Sequence, residues 1–513
     1  MLASKRIRVA LVAALALACG KRAPAPITST GAARFLEQAT FGPTPASVAH
    51  LQQIGYDAWL DEQFAETPSA IDEPGATDMD LGALQRRFFV NAVQGKDQLR
   101  QRVAFALSQI FVVSGNKVGD PGAFSPWLRM LSADAFGSYP ALLRDVTLSP
   151  AMGVYLDMVN NDRPDPVAGT SPNENYAREI LQLFSIGLVR LNNDGTPKLD
   201  AHGAAIPTYD QLVIEGFAHT FTGWTFPTAP GVVPGFPNPE RYDRPMEVSE
   251  AHHDNLTTKP LLRGVRLPPG QTAEKDLADV LDNIAQDPNV GPFIGFRLIQ
   301  RLVKSNASPA YVGRVAAAFA DNGRGARGDL KAVVRAVLLD PEARHEGPPA
   351  KSDGKLREPV LYIAALLRAL GAQTGGAGLA DYAASMRQNL FYPTTVFNYY
   401  PPGYRLQGST LLGPEFKLRT GPSVLARAAF VDDLLSGYIQ GTTVDLAPFN
   451  AIAGDAGKLA DGLGSLLLRS DLSLRARQAL VSGISSLPAD DAPGRARAGV
   501  FLVATSSQFE VQP

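Results

Sequence analysis

Helical spacing runs through almost the entire chain, and it narrows the fold more than any other feature. In KDQLRQRVAFALSQIFVVS, residues 96–114, the side chains of Leu99, Val103, Ala106, Leu107, Ile110 and Phe111 fall on one broad face. Apolar residues three and four apart stack on one side of a helix, so this segment is predicted to be a core helix. Comparable patterns recur at Tyr139–Leu148, Tyr209–Phe221, Ala273–Ala285, Pro292–Val303, Pro309–Ala320, Asp329–Leu338, Arg357–Leu370, Gly421–Leu435 and Arg475–Leu487. Residues 32–65 read as three short helices, the second capped by Thr44 with Pro45 at its first position. The expected fold is mainly α: a helical core domain over residues 31–435, with residues 436–513 as a C-terminal helical segment packed on it.

Two regions interrupt the helices. Residues 187–207 contain RLNNDGTPKL, in which Asp194-Gly195 between short alternating runs signals a β-hairpin. A calcium loop does not fit there, because Arg190 and Ala201 would stand at the first and twelfth ligand positions. Residues 226–270 are rich in Pro and read as a long excursion beside the core.

The N-terminus is a separate matter. Lys5, Arg6 and Arg8 precede an unbroken apolar run, Val9 to Ala18, which is too short to span a bilayer and reads as an export signal over residues 1–18. Cys19 is the only cysteine of the chain and follows that run directly, which excludes a disulfide and resembles a bacterial lipoprotein processing box. That resemblance implies lipid on Cys19 and, with Gly20 next, an outer-membrane lipoprotein of the cell envelope. Residues 19–30, with Pro24 and Pro26, then read as a tether. A net charge of −2 supplies no electrostatic footprint for nucleic acid.

The polar residues raise the functional question. SPNENYAREILQLFSIG, residues 171–187, opens with S-x-x-E and Pro at the next position, so a capping box over Ser171–Glu174 is expected, with Gly187 as C-terminal cap. Glu174 and Arg178 form an i,i+4 pair. Capping leaves Asn173, Asn175 and Glu179 unexplained, since amides are poor helix formers. Two readings stay open: a polar network that only holds structure, or the lining of a ligand or metal site. His219 lies one turn after Glu215, just ahead of Thr222-Gly223-Trp224, and His253-Asp254 lies in the Pro-rich excursion. His219, His253 and Asp254 offer nitrogen and oxygen ligands for a divalent metal such as zinc or manganese, although their spacing matches no standard motif. No G-x-S-x-G, H-E-x-x-H, P-loop or G-x-G-x-x-G is present. Asp329 of an R-G-D triplet reads as a helix N-cap, and Arg297, Arg301 and Lys304 read as a solvated helix face.

Taken together, ARFLEQATFGPTPASVAHLQQIGYDAWLDEQF, LRQRVAFALSQIFVVS, PNENYAREILQLFSIG, TYDQLVIEGFAHTFTGW, HHDNLTTKPLLRG, DVLDNIAQDPNVGPFIGFRLIQRLVKSN, KLREPVLYIAALLRALG and SSQFEVQP resemble one family, the bacterial domain of unknown function 1800. The N-E-N-x-A-R-E and T-G-W segments carry the resemblance. It implies an exported, largely helical protein of unassigned activity, with an exported protein of the domain of unknown function 1501 family as partner. Many members have W-H-N-H-F where Leu107 to Phe111 stand here, and some have His in place of Phe184. The expected function is a lipid-anchored envelope protein that binds a ligand or organises a partner through Asn173, Glu174, Asn175, Arg178, Glu179, His219 and Trp224. The competing expectation is a metal-assisted hydrolase using His219, His253 and Asp254, with Glu174 or Glu179 as general base.

Overall fold

The computed structural model describes residues 26–512 apart from 74, 76–78, 234, 347–349, 351 and 469–471. The export signal, Cys19 and the first part of the tether lie outside the described residues. Thr28 caps the first helix, Ser29–Ala39, so Ser29 and Thr30 belong to that helix and not to a tether. Among the described residues there are 21 α-helices and four two-stranded pairs, which makes the fold mainly α. No helix among them is long and apolar enough to cross a membrane.

Local signals set many helix ends. Thr44 accepts from the Ser47 amide in a full capping box with Pro45 at the first position, and Asp329 caps Leu330–Leu339. Tyr139–Leu148, Ala273–Ala285, Pro309–Ala320 and Gly421–Leu435 begin and end where periodicity and caps place them. The core helix Gln98–Ser108 stops earlier than its apolar pattern, yet Ile110 and Phe111 beyond its end stay buried.

One hydrophobic cluster extends from Ala32 to Phe509. Val290–Leu302 lies near its centre and packs on Gln98–Ser108, Pro309–Ala320 and Leu330–Leu339. The C-terminal helices fold back so that Ala492–Ala504 packs on Gly421–Leu435. Val511 and Gln512 then pair antiparallel with Lys355 and Leu356, and the Gln512 side chain donates to the Leu302 carbonyl at 2.7 Å.

Of the cations expected on a solvated helix face, only Arg297 is partly exposed. Arg301 and Lys304 are buried: Arg301 stacks on Tyr400 at 4.9 Å, and Lys304 pairs with Glu342 and Asp353. Beside Arg301 lies a knot of charge. Glu358, fully buried, accepts on Oε2 from Gln109 (2.6 Å), Gln388 (2.5 Å) and the Tyr400 hydroxyl (2.8 Å). Burial alone would raise its pKa, but Lys355, Arg301 and Arg102 outweigh that and hold it below the usual range. Lys355 pairs with Glu415 at 3.1 Å, and burial lowers Arg102 to about 10.

Much of the Pro-rich excursion is built into the core. Glu247–Val248 pairs with Trp224–Thr225, Lys259–Pro260 pairs with Arg266–Leu267, and Phe226, Tyr242, Met246, Leu261, Leu262 and Leu267 are buried. Gly216 makes one of these contacts possible, because a Cβ there would lie 1.9 Å from the Pro260 carbonyl oxygen.

Candidate functional site

The helix in the N-E-N segment is Asn175–Gln182, and the capping box does not form. Glu174 stands at the N-cap position without a side-chain cap, and Ser171 is exposed four residues before the helix. The reason is a competitor from outside the segment. Asn161 accepts from the Asn173 amide at 2.8 Å and donates to its carbonyl at 3.3 Å, which commits the backbone at 173 before the helix starts. Asn173 Oδ1 then accepts from the Asn175 amide at 2.8 Å, an Asx turn that starts the helix instead. Glu174 is released to other partners: Arg178 at 2.6 Å and Gln211 at 2.9 Å. Asn175 donates to Asp157 at 2.7 Å, and Asp157 pairs with Lys117 at 2.7 Å. Gly187 does end the turn after this helix, at φ 72° and donating to the Leu181 carbonyl.

The T-G-W and H-H-D segments meet in the same region. Gly223 lies so close to the 249–253 turn that a Cβ would stand 2.9 Å from both the His253 nitrogen and the Ser249 carbonyl oxygen, with φ at 84°. His219, on Gln211–Thr220, donates from Nδ1 to Asp254 at 2.5 Å. Asp254 also accepts from the Leu256 and Thr257 amides and from the Thr257 hydroxyl. Burial opposes ionisation of Asp254, yet the bonds from His219, Thr257 and Leu256 hold its carboxyl well below the usual range. The neighbouring His253 is fully buried with both ring nitrogens engaged, Nε2 to Asp276 at 3.0 Å and Nδ1 to the Thr222 carbonyl at 3.1 Å. Asp276 is shared with Lys259 at 2.7 Å, and these bonds outweigh burial to lower its pKa.

What joins these segments is a loop the sequence reading did not single out, residues 157–163. Asp157 takes Asn175, Asn160 donates from its amide to the Trp224 carbonyl at 2.7 Å, Asn161 takes Asn173 and accepts from the Gly223 amide, and Asp162 takes His252 at 2.9 Å. Asp157 and Asn160 both sit at positive φ, 58° and 60°, the conformation that Asx residues tolerate best. The available signal was four Asx residues within six positions, 157–162.

Of the expected trio of metal ligands, His219 and Asp254 meet at 2.5 Å, while His253 turns to Asp276. His253 has no free nitrogen, Asp254 is committed to His219 and its own loop, and no three His, Cys, Asp or Glu side chains among the described residues are arranged to hold an ion. Of the positions where the resemblance places histidines, Ile110 and Phe184 are buried in the core here, Phe184 against Phe111 at 5.4 Å, while Ser108 is half-buried and donates to the Phe105 carbonyl. Trp224 is buried and contributes packing, with no partner for Nε1 among the described residues. Glu179 is partly buried and shifted upward by burial against the opposing charge of Arg178. Tyr155 and Tyr209 are each raised to about 12, first by burial and then by the Glu179 charge.

One arrangement retains chemical capacity. The Asp254 side chain is 1% exposed and the His219 side chain 24%, so a buried carboxylate fixes a ring that reaches solvent. With Nδ1 bound to Asp254, Nε2 has no partner among the described residues and is the atom left for a general base or hydrogen-bonding contact. Glu215, one turn earlier, is exposed on the same helix face.

One family model, described as a protein of unknown function (DUF1800), matches residues 34–511. No curated protein and no solved structure matches the chain.

Proposed function

The chain belongs to the DUF1800 family, and from that premise we propose an exported, lipid-anchored protein of the cell envelope that presents a fixed polar face to a ligand or partner. Lys5, Arg6 and Arg8 before the Val9–Ala18 run support export, and Cys19 immediately after it supports an outer-membrane lipid anchor. The observation that carries the binding role is the mutual satisfaction of the hub. The 157–163 loop ties three distant segments together through short polar bonds, while Glu174, Glu215 and the outer edge of His219 remain at the surface. Such a face is rigid before anything binds, which lowers the ordering cost of association. An exported protein of the domain of unknown function 1501 family is the partner to test first.

His219→Asn tests the reading most directly, because an Asn amide reproduces the Nδ1 contact to Asp254 and deletes Nε2. Together with Glu215→Gln it is expected to abolish partner capture from envelope extracts while thermal unfolding is unchanged. Retained capture in the double variant overturns the proposal.

The second reading is a hydrolase, and the Asp254–His219 geometry favours a version in which His219 acts as a general base. That version needs no metal: His253 binds Asp276 and the Thr222 carbonyl, and Asp254 binds His219. Elemental analysis of the Cys19→Ser protein, purified without chelator, checks this: a stoichiometric divalent ion would restore the metal-assisted form.

A further inference from the structure

At the other end of the Asn175–Gln182 helix lies a cavity of about 650 Å³, within the range of small-molecule sites. One wall is the 186–196 segment. Asn289 pins it by donating to the Ile186 and Val189 carbonyls at 3.1 and 2.8 Å and accepting from the Leu191 amide at 2.9 Å. Gly187 lies against Phe293, whose ring a Cβ would meet at 2.7 Å, and Gly195 of the expected hairpin turn lies against Val312 at 2.9 Å. The opposite wall is formed by Phe397 and the Pro401–Gly403 turn, which Gln300 ties to the central helix through the Pro402 carbonyl at 3.3 Å.

This mostly apolar cavity contains one guanidinium. Arg297 stacks over Phe293 at 4.9 Å and Phe296 at 5.9 Å, and its Nη1 donates to Gln300 at 3.0 Å. No carboxylate among the described residues pairs with it, in contrast to Lys304 just past the end of the same helix. Burial lowers its pKa to about 10, with Arg301 adding to the shift. A guanidinium half removed from water without a counter-charge is costly, and its planar fork matches a carboxylate. The acid in the lining, Asp194, uses Oδ1 to accept from the Thr196 amide and hydroxyl at 3.0 and 2.6 Å.

We propose that this pocket binds an organic carboxylate with an apolar body, its head on Arg297 and its body against Phe293, Phe296 and Val312. One guanidinium balances a single negative charge. A phosphate dianion would leave charge uncompensated. The site is separate from the polar hub and stands or falls independently of it.

Calorimetric titration of the full chain with octanoate, octanamide and octylamine tests the assignment. Octanoate is expected to bind at least about ten-fold more tightly than the amide, equivalent to about 1.4 kcal/mol. Arg297→Met should make the two equal, and Phe296→Ala should weaken both. Asp194→Asn, which keeps the acceptor for Thr196, should tighten octanoate several-fold and serves as the check if Arg297→Met fails to fold. Equal binding of acid and amide, a preference that survives Arg297→Met, octanoate unaffected or weakened by Asp194→Asn, tightest binding of octylamine, or no binding of octanoate overturns the proposal.

Discussion

Two places in the molecule gather polar side chains from distant segments, and they satisfy them by different means. Around residues 157–163 the partners are amides, backbone groups and Asx turns, with acids and a histidine left at the surface. Around Glu358 the partners are charges sealed in helix packing: Arg102, Arg301, Lys355 and Glu415, with Gln109, Gln388 and Tyr400 on the carboxylate. In the first, each bond fixes the path of irregular backbone. In the second, each charge is held by its neighbours, so losing one strands the rest. The loop region is therefore suited to presenting a surface, and the knot to specifying one arrangement of helices.

The sharpest test of that contrast is Glu358→Ala, expected to cost about 3–5 kcal/mol in urea unfolding because it leaves buried cations uncompensated. Glu358→Gln should cost less, and equal losses would mean that shape rather than charge dominates there. Asn161→Ala is expected to cost about 1–3 kcal/mol by orphaning the Asn173 backbone groups. Hydrogen exchange should then show the 170–175 stretch opening locally, whereas the Glu358 variants should act on global unfolding. A purely global response to Asn161→Ala would erase the distinction.

Acid titration separates the regions further. Asp254 has a folded pKa below its unfolded value, so its contribution is present above about pH 4 and is lost as pH falls through the folded value. Asp254→Asn should flatten the acid limb of a stability-against-pH curve, and an unaltered limb would remove the His219 contact from the ledger of the hub. The smallest effect is expected for Glu174→Gln. Its pair with Arg178 is substantially exposed, so about 0.5 kcal/mol or less should be lost, measured by thermal unfolding.

The helices were legible where the deciding interactions were local. Tyr139–Leu148 and Pro309–Ala320 each start with a Ser cap followed by the helix's own apolar face, and the remote bonds there, from Ser308 to Glu342 and from the Tyr139 amide to the Gly328 carbonyl, leave the cap intact. The S-x-x-E box at Ser171 failed because Asn161, ten residues upstream, takes Asn173 first. Arg301 and Lys304 read as surface for a related reason: their partners Tyr400, Glu342 and Asp353 are remote in sequence. At the candidate site, composition brought out His219 and Asp254 but not that they bind each other. Residues 157–163 went unread because Asx residues in a short loop look like ordinary turn chemistry until their partners are known.

The pairing of Val511 and Gln512 with Lys355 and Leu356 bears on how the molecule is made. The two strands stand on either side of the C-terminal helices in sequence, so this pair closes a long loop whose entropy the contacts it completes must offset. With the pair open, the buried Lys355 would lose the strand that covers it, so closing the loop and sealing that charge are one event. Closure at this point is thereby non-local, and it is expected to lag the helices whose deciding contacts are local.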